Sequence, residues 1–166
     1  MDILKNPTPK KAEVLFREAE QCEEKGDFGT AFNRLVAAAK LGDPLSYLNL
    51  GNYHASGTGT AKDLKKAAYW YKKAYQSGLS SGALNLAIDR RNEGNLRSAI
   101  VWFKKAIEMN SGDACIELAE IYGARKGGQR AAAQLLRRAL QLTKDGISDD
   151  ARKKAQSLLK TVAFPR

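Results

Sequence analysis

A chain of 166 residues with 28 Lys and Arg against 18 Asp and Glu carries a formal charge of +10 and has a pI near 9.7. It has no apolar run of the roughly 18 residues that span a bilayer. Its opening, MDILKNPTPKK, lacks a secretory-signal pattern, and its single histidine excludes a histidine-pair metal site. These features predict one soluble cytoplasmic domain attracted to an acidic protein, to nucleic acid or to anionic lipid, a choice that charge alone does not make.

In chain order, turn residues separate nine predicted helices. The first covers about 10–25 and ends at KGDF; the second covers 28–41 and ends at LGDP. A third over 44–55 runs into SGTGTAKD, and a fourth over 62–77 runs into QSGLSSG. Helices over 81–92, 95–109, 113–124 and 128–143 follow, separated by NEGN, NSGD and KGGQ. From Ser148, SDDARKKAQSLLKTVA opens on a cap-like Ser-Asp-Asp and makes a ninth helix, expected to cap the stack over about 148–162. Cys22 and Cys115 lie far apart without metal-ligand spacing, which suits a reducing compartment and two packing thiols.

The chain repeats itself. AFNRLVAA from Ala31, AAYWYKKA from Ala67, AIVWFKKA from Ala99 and AAQLLRRA from Ala132 align, their first and last alanines about 32 to 36 residues apart. A second series, Ala19, Gly51, Ala87 and Ala119, lies upstream of the first, so each unit holds two elements. Positions 67, 70, 71 and 74 have the spacing of one helical face. Four helix pairs result, over about 12–42, 43–79, 80–111 and 112–143.

On Leu50, Gly51, Gly57, Gly59, Asp63, Lys66, Ala67, Trp70, Tyr71, Lys73, Ala74 and Gly78, the second unit resembles a SEL-like repeat. His54 and Thr60 depart from that pattern, which usually has Tyr and Val there. The other units resemble ordinary tetratricopeptide repeats through small residues and aromatics such as Gly94, Ala99, Trp102, Phe103 and Ala106. The resemblance implies an all-α fold: an α-solenoid of about four antiparallel helix pairs with a C-terminal capping helix, all in one repeat domain over 1–166.

SGTGTAKD has the glycines and lysine of a phosphate-cradling loop. A P-loop, however, follows a strand and ends Gly-Lys-Ser/Thr, whereas a predicted helix precedes this loop and Ala61 separates Thr60 from Lys62. The loop falls where the second unit is longer than its neighbours, so it is expected to join two helices, with Asp63 capping the second. His54 is expected to pack between helices. The acidic pairs Glu23 and Glu24, and Asp149 and Asp150, read as solvated helix ends. No catalytic residue, cofactor or metal is expected, and the chain is predicted not to be an enzyme.

By the resemblance, the first helix of each pair lines the concave face. That places Arg17, Glu20, Glu24, Asn49, Asn52, Ser56, Asn85, Ile88, Asn92, Glu117 and Glu120 on the expected partner-binding surface. The asparagine amides suit an extended backbone or a helix end. The second helices and the C-terminal end carry a predicted basic surface: Lys72, Lys73, Lys104, Lys105, Arg125, Arg130, Arg137 and Arg138, joined by Lys65, Lys66, Arg152, Lys153 and Lys154. The function expected is a non-catalytic protein-interaction module of adaptor, secretion-chaperone or toxin-immunity type. A polyanion-binding protein using the basic surface is the alternative.

Overall fold

The computed structural model describes residues 8–143 and 146–163, so most of the opening that bears on export lies outside the described residues. Nine helices and no strand occur among them: α1 Thr8–Glu24, α2 Phe28–Lys40, α3 Pro44–Ser56, α4 Leu64–Gln76, α5 Ser80–Asn92, α6 Leu96–Glu108, α7 Gly112–Gly123, α8 Gln129–Gln141 and α9 Asp149–Ala163. Each begins and ends within two residues of its predicted bounds, because the turns carry local chemistry. Asp27 accepts from Thr30 N at 3.1 Å, Asp43 from Ser46 N at 2.6 Å, and Asn95 from Ser98 N at 3.1 Å. Ser111 accepts from Ala114 N, and Ser148 from Ala151 N at 3.2 Å, each satisfying a donor that the first helical turn leaves open.

The chain divides between Gly82 and Ala83 into two compact units. In the first, α1 packs on α2, α2 on α3, and α3 on α4. Its core gathers Ala19, Ala31, Leu35, Ala39, Leu50 and Tyr53, with Phe16, Phe32, Val36, Tyr47 and Trp70 packed around them. Gly51 permits the α3–α4 approach, since a Cβ there would run into the ring of Tyr71.

In the second unit α6 packs on α7, α7 on α8, and α9 on both α7 and α8. Phe103, Leu118, Cys115, Leu136 and Ala155 are fully or almost fully buried there. The repeating alanines at 31, 67, 99 and 132, and at 38, 74, 106 and 139, all have 0% exposure. The period in the sequence is therefore a period of full burial. Both cysteines are unbonded thiols, Cys115 buried and Cys22 half-buried.

Candidate functional site

In the first unit a pocket of about 260 Å³ is lined by Glu23, Phe28, Asn49, Asn52, Tyr53, Ser56 and Thr58. Asn49, Tyr53 and Ser56 recur along one face of α3, while Glu23 comes from the last turn of α1. The Tyr53 hydroxyl donates to Glu23 Oε1 at 2.6 Å. Burial, this bond and the Glu23 charge together push the Tyr53 phenol far above its usual range. Tyr71 Oη donates to Asn52 Oδ1 at 2.9 Å, and Ser56 Oγ donates to Asn52 O at 2.9 Å and lies 2.8 Å from Thr58 Oγ1.

The pocket thus has a carboxylate, two amides and a hydroxyl pair over an aromatic wall, suited to a partner's hydrogen-bond donors. Three of the sequence-derived candidates, Asn49, Asn52 and Ser56, meet here. Glu20 and Glu24 are exposed beyond the pocket, and Arg17 pairs with Glu13 at 2.7 Å on the surface. Glu23 corrects the expectation of a solvated helix end: it is half-buried and held by Tyr53. Tyr53 was legible only as the residue between Asn49 and Ser56 on the same helical face; nothing in the sequence linked it to Glu23.

In the second unit, Asn85 and Ile88 are half-buried on α5 and Asn92 is exposed at its end. Glu117 is ion-paired with Arg91, and Glu120 with Lys154 of α9 at 3.0 Å. Asp113, one turn before Glu117, has its carboxyl pushed up by burial and by the Glu117 charge, with Lys154 opposing. The acidic face of α7 is thereby neutralised from two sides by its own chain.

The predicted basic surface is only partly a solvated array. Lys72, Lys104, Arg125, Arg130, Arg137 and Arg138 are exposed. The Lys73 ammonium lies 5.6 Å from the Tyr47 ring centre and 5.8 Å from that of Tyr69. Lys105 stands 4.0 Å over the Trp102 ring, and Arg125 5.8 Å over Tyr122. Lys73 and Lys105 are both half-buried beside these rings. Arg138 donates to Ile107 O at 2.9 Å, and Arg152 to Leu140 O at 3.0 Å and Leu142 O at 2.8 Å. Those two guanidiniums satisfy carbonyls at the ends of α6 and α8, where the helix dipole favours positive charge.

The arrangement of paired helices matches solved structures. A Sel1 repeat protein from Oxalobacter formigenes superposes with a TM-score of 0.73 at 23% identity over 95% of this chain and 66% of its own. The chain has the Sel1-repeat fold. A second structure, c5321, a protective antigen of uropathogenic Escherichia coli strains displaying an SLR fold, gives 0.67 at 16% identity over 92% of this chain. The chain spans 66% and 38% of the lengths of these two proteins. No family model and no curated protein matches the sequence.

Within this Sel1-type unit the long loop is architectural. Gly57 ends α3 in the left-handed region at φ 84°, its N–H bonded to Tyr53 O at 2.8 Å. Gly59, at φ 63°, lies so close to the backbone of Phe28 that a Cβ would collide with it, which docks the loop onto the start of α2. Asp63 caps α4 by accepting from Lys65 N and Lys66 N, both at 3.0 Å, and those bonds hold its carboxyl below the usual range. Among the described residues no cluster of His, Cys, Asp and Glu is placed to hold a metal, and no helix is long and apolar enough to cross a membrane.

His54 is 5% exposed and meets Phe32 edge-on with ring centres 5.5 Å apart. Burial lowers its pKa below 6.5, against a hydrogen bond to the backbone of Ala61. The nearby charges of Lys66 and Asp63 act in opposite directions. Because the folded state binds this proton less well than the unfolded chain does, His54 favours folding fully above pH ~6.5 and progressively less below it. Urea midpoints measured at about pH 7.5 and 5.5 should therefore fall more for the wild type than for His54→Gln. Equal falls would show that His54 is not the group responsible.

Proposed function

We propose that the chain is a non-catalytic protein-interaction module that takes part of a partner protein in the Glu23–Asn49–Asn52–Tyr53–Ser56 pocket of its first unit. The observation carrying this reading is the pocket's preorganisation: Tyr53 is tied to Glu23, Asn52 to Tyr71, and Ser56 to the end of α3. Polar groups already fixed by the fold lose little freedom when a partner arrives, so modest contacts add up to useful affinity. The chemistry favours donor-rich segments, such as a peptide backbone or a basic side chain, because the pocket holds a carboxylate and no cation. Adaptor, secretion-chaperone and immunity roles all fit such a module. The unbonded cysteines suit work in the cytoplasm.

The same fold is seen in the Sel1 repeat protein and the protective antigen above, which supports a repeat scaffold as the basis of recognition. Polyanion binding is the less favoured reading, since Lys73 and Lys105 are half-buried beside aromatic rings of their own chain. The test is a pulldown from native lysate with and without nuclease, repeated with Glu23→Gln and Asn49→Ala. A protein should be retained after nuclease treatment and lost, by about tenfold or more, with the pocket variants. Recovery of nuclease-sensitive material alone would replace this reading with polyanion binding.

A further inference from the structure

The second unit has a separate groove of about 470 Å³ among α6, α7 and α8. Its apolar lining includes Ile107, Tyr122 and Leu135, and its charged lining is Lys104 and Arg138 against the single carboxylate of Glu108. Lys104, Ile107 and Glu108 recur at helical spacing along α6, as Ala131, Leu135 and Arg138 do along α8. Two helical ridges therefore border an apolar trough, the geometry into which the ridge of a third helix packs. Arg138 is fixed at the lip by its bond to Ile107 O, and Arg125 adds a second guanidinium over Tyr122. Exposed Arg137 adjoins Arg138.

We infer that this groove docks an amphipathic helix of a partner protein, its apolar ridge on Ile107, Tyr122 and Leu135 and its acidic flanks on Lys104 and Arg138. The cationic excess at the rim sets the sign of the partner's charge, and the net charge of +10 steers an acidic partner from a distance. The apolar floor sets the class of partner. A nucleic-acid backbone would desolvate the half-buried Leu135 and Tyr122 without replacing water by anything they prefer, whereas a leucine-bearing helix buries them. The surface is distinct from the Glu23 pocket, and the two make opposite demands on charge.

The probe is a fluorescein-labelled synthetic peptide of about 18 residues, long enough to populate a helix, with leucines at i, i+3, i+4 and i+7 and glutamates between them. Fluorescence anisotropy of the full chain should show saturable binding at about 0.1 M salt. Binding should be about tenfold weaker for a scrambled peptide of the same composition, and weakened about tenfold by Leu135→Glu. Lys104→Glu, at an exposed position that leaves the core untouched, should weaken binding about threefold or more and reduce its salt dependence. Glu23→Gln should leave the probe's affinity unchanged, so failure of the groove is distinguishable from failure of the pocket. Absence of saturable binding, equal affinity for the scrambled peptide, equal affinity for a labelled single-stranded RNA, or indifference to Lys104→Glu would each overturn the inference.

Discussion

Phe103→Ala is expected to lower the unfolding free energy of the second unit by about 3–5 kcal/mol, the range for truncating a fully buried aromatic. Phe103 has 0% exposure and heads the largest fully buried side chains. It lies on α6 between Ala99 and Ala106, both also fully buried, and these small residues have no side chain long enough to refill the space. The cost is therefore a lost transfer term plus a cavity that closes only in part. Urea titration followed by hydrogen exchange on residues of α6 and α7 measures it; a loss under about 1 kcal/mol would remove position 103 from the core.

Gly51→Ala should destabilise by about 1–3 kcal/mol, although alanine in a helix interior ordinarily stabilises relative to glycine by about 0.5–1 kcal/mol. The sign reverses because the added methyl meets the Tyr71 ring, which is itself 3% exposed and packed at the α3–α4 contact. A shifted Tyr71 also releases Asn52, whose Oδ1 accepts its hydroxyl, so the variant should lose partner capture as well as stability. Thermal melts and pulldowns on the same preparation read both effects. Stabilisation by Gly51→Ala would mean that the two helices approach less closely than described.

The helices and their order were legible because the signals are local: Asp27, Asp43, Asp63, Asn95, Ser111 and Ser148 announce helix starts wherever they fall. The repeat was legible because buried alanine tolerates no larger residue at a close contact. Asn49, Asn52 and Ser56 were found together because they lie on one helix. Glu23 and Tyr53 were not paired in advance, since a bond between residues 30 apart in sequence depends on how α1 packs on α2 and α2 on α3. For the same reason, adjacent cations looked alike in the sequence, yet of the two exposed neighbours Arg137 and Arg138 it is Arg138 that donates to a carbonyl at the end of α6. Charge runs count ions, but only packing decides which ones a neighbouring carbonyl or ring engages.

A protein partner held at the Glu23–Asn49 pocket should be captured by photocrosslinking from position 28. Phe28 lines that pocket and is 41% exposed, so a benzoyl-phenylalanine placed there keeps an aromatic side chain at the wall. Irradiation in native lysate should give a discrete protein adduct that survives nuclease and disappears when Glu23→Gln is added. An adduct unaffected by Glu23→Gln, or one removed by nuclease, would mean that no protein partner is held at this pocket.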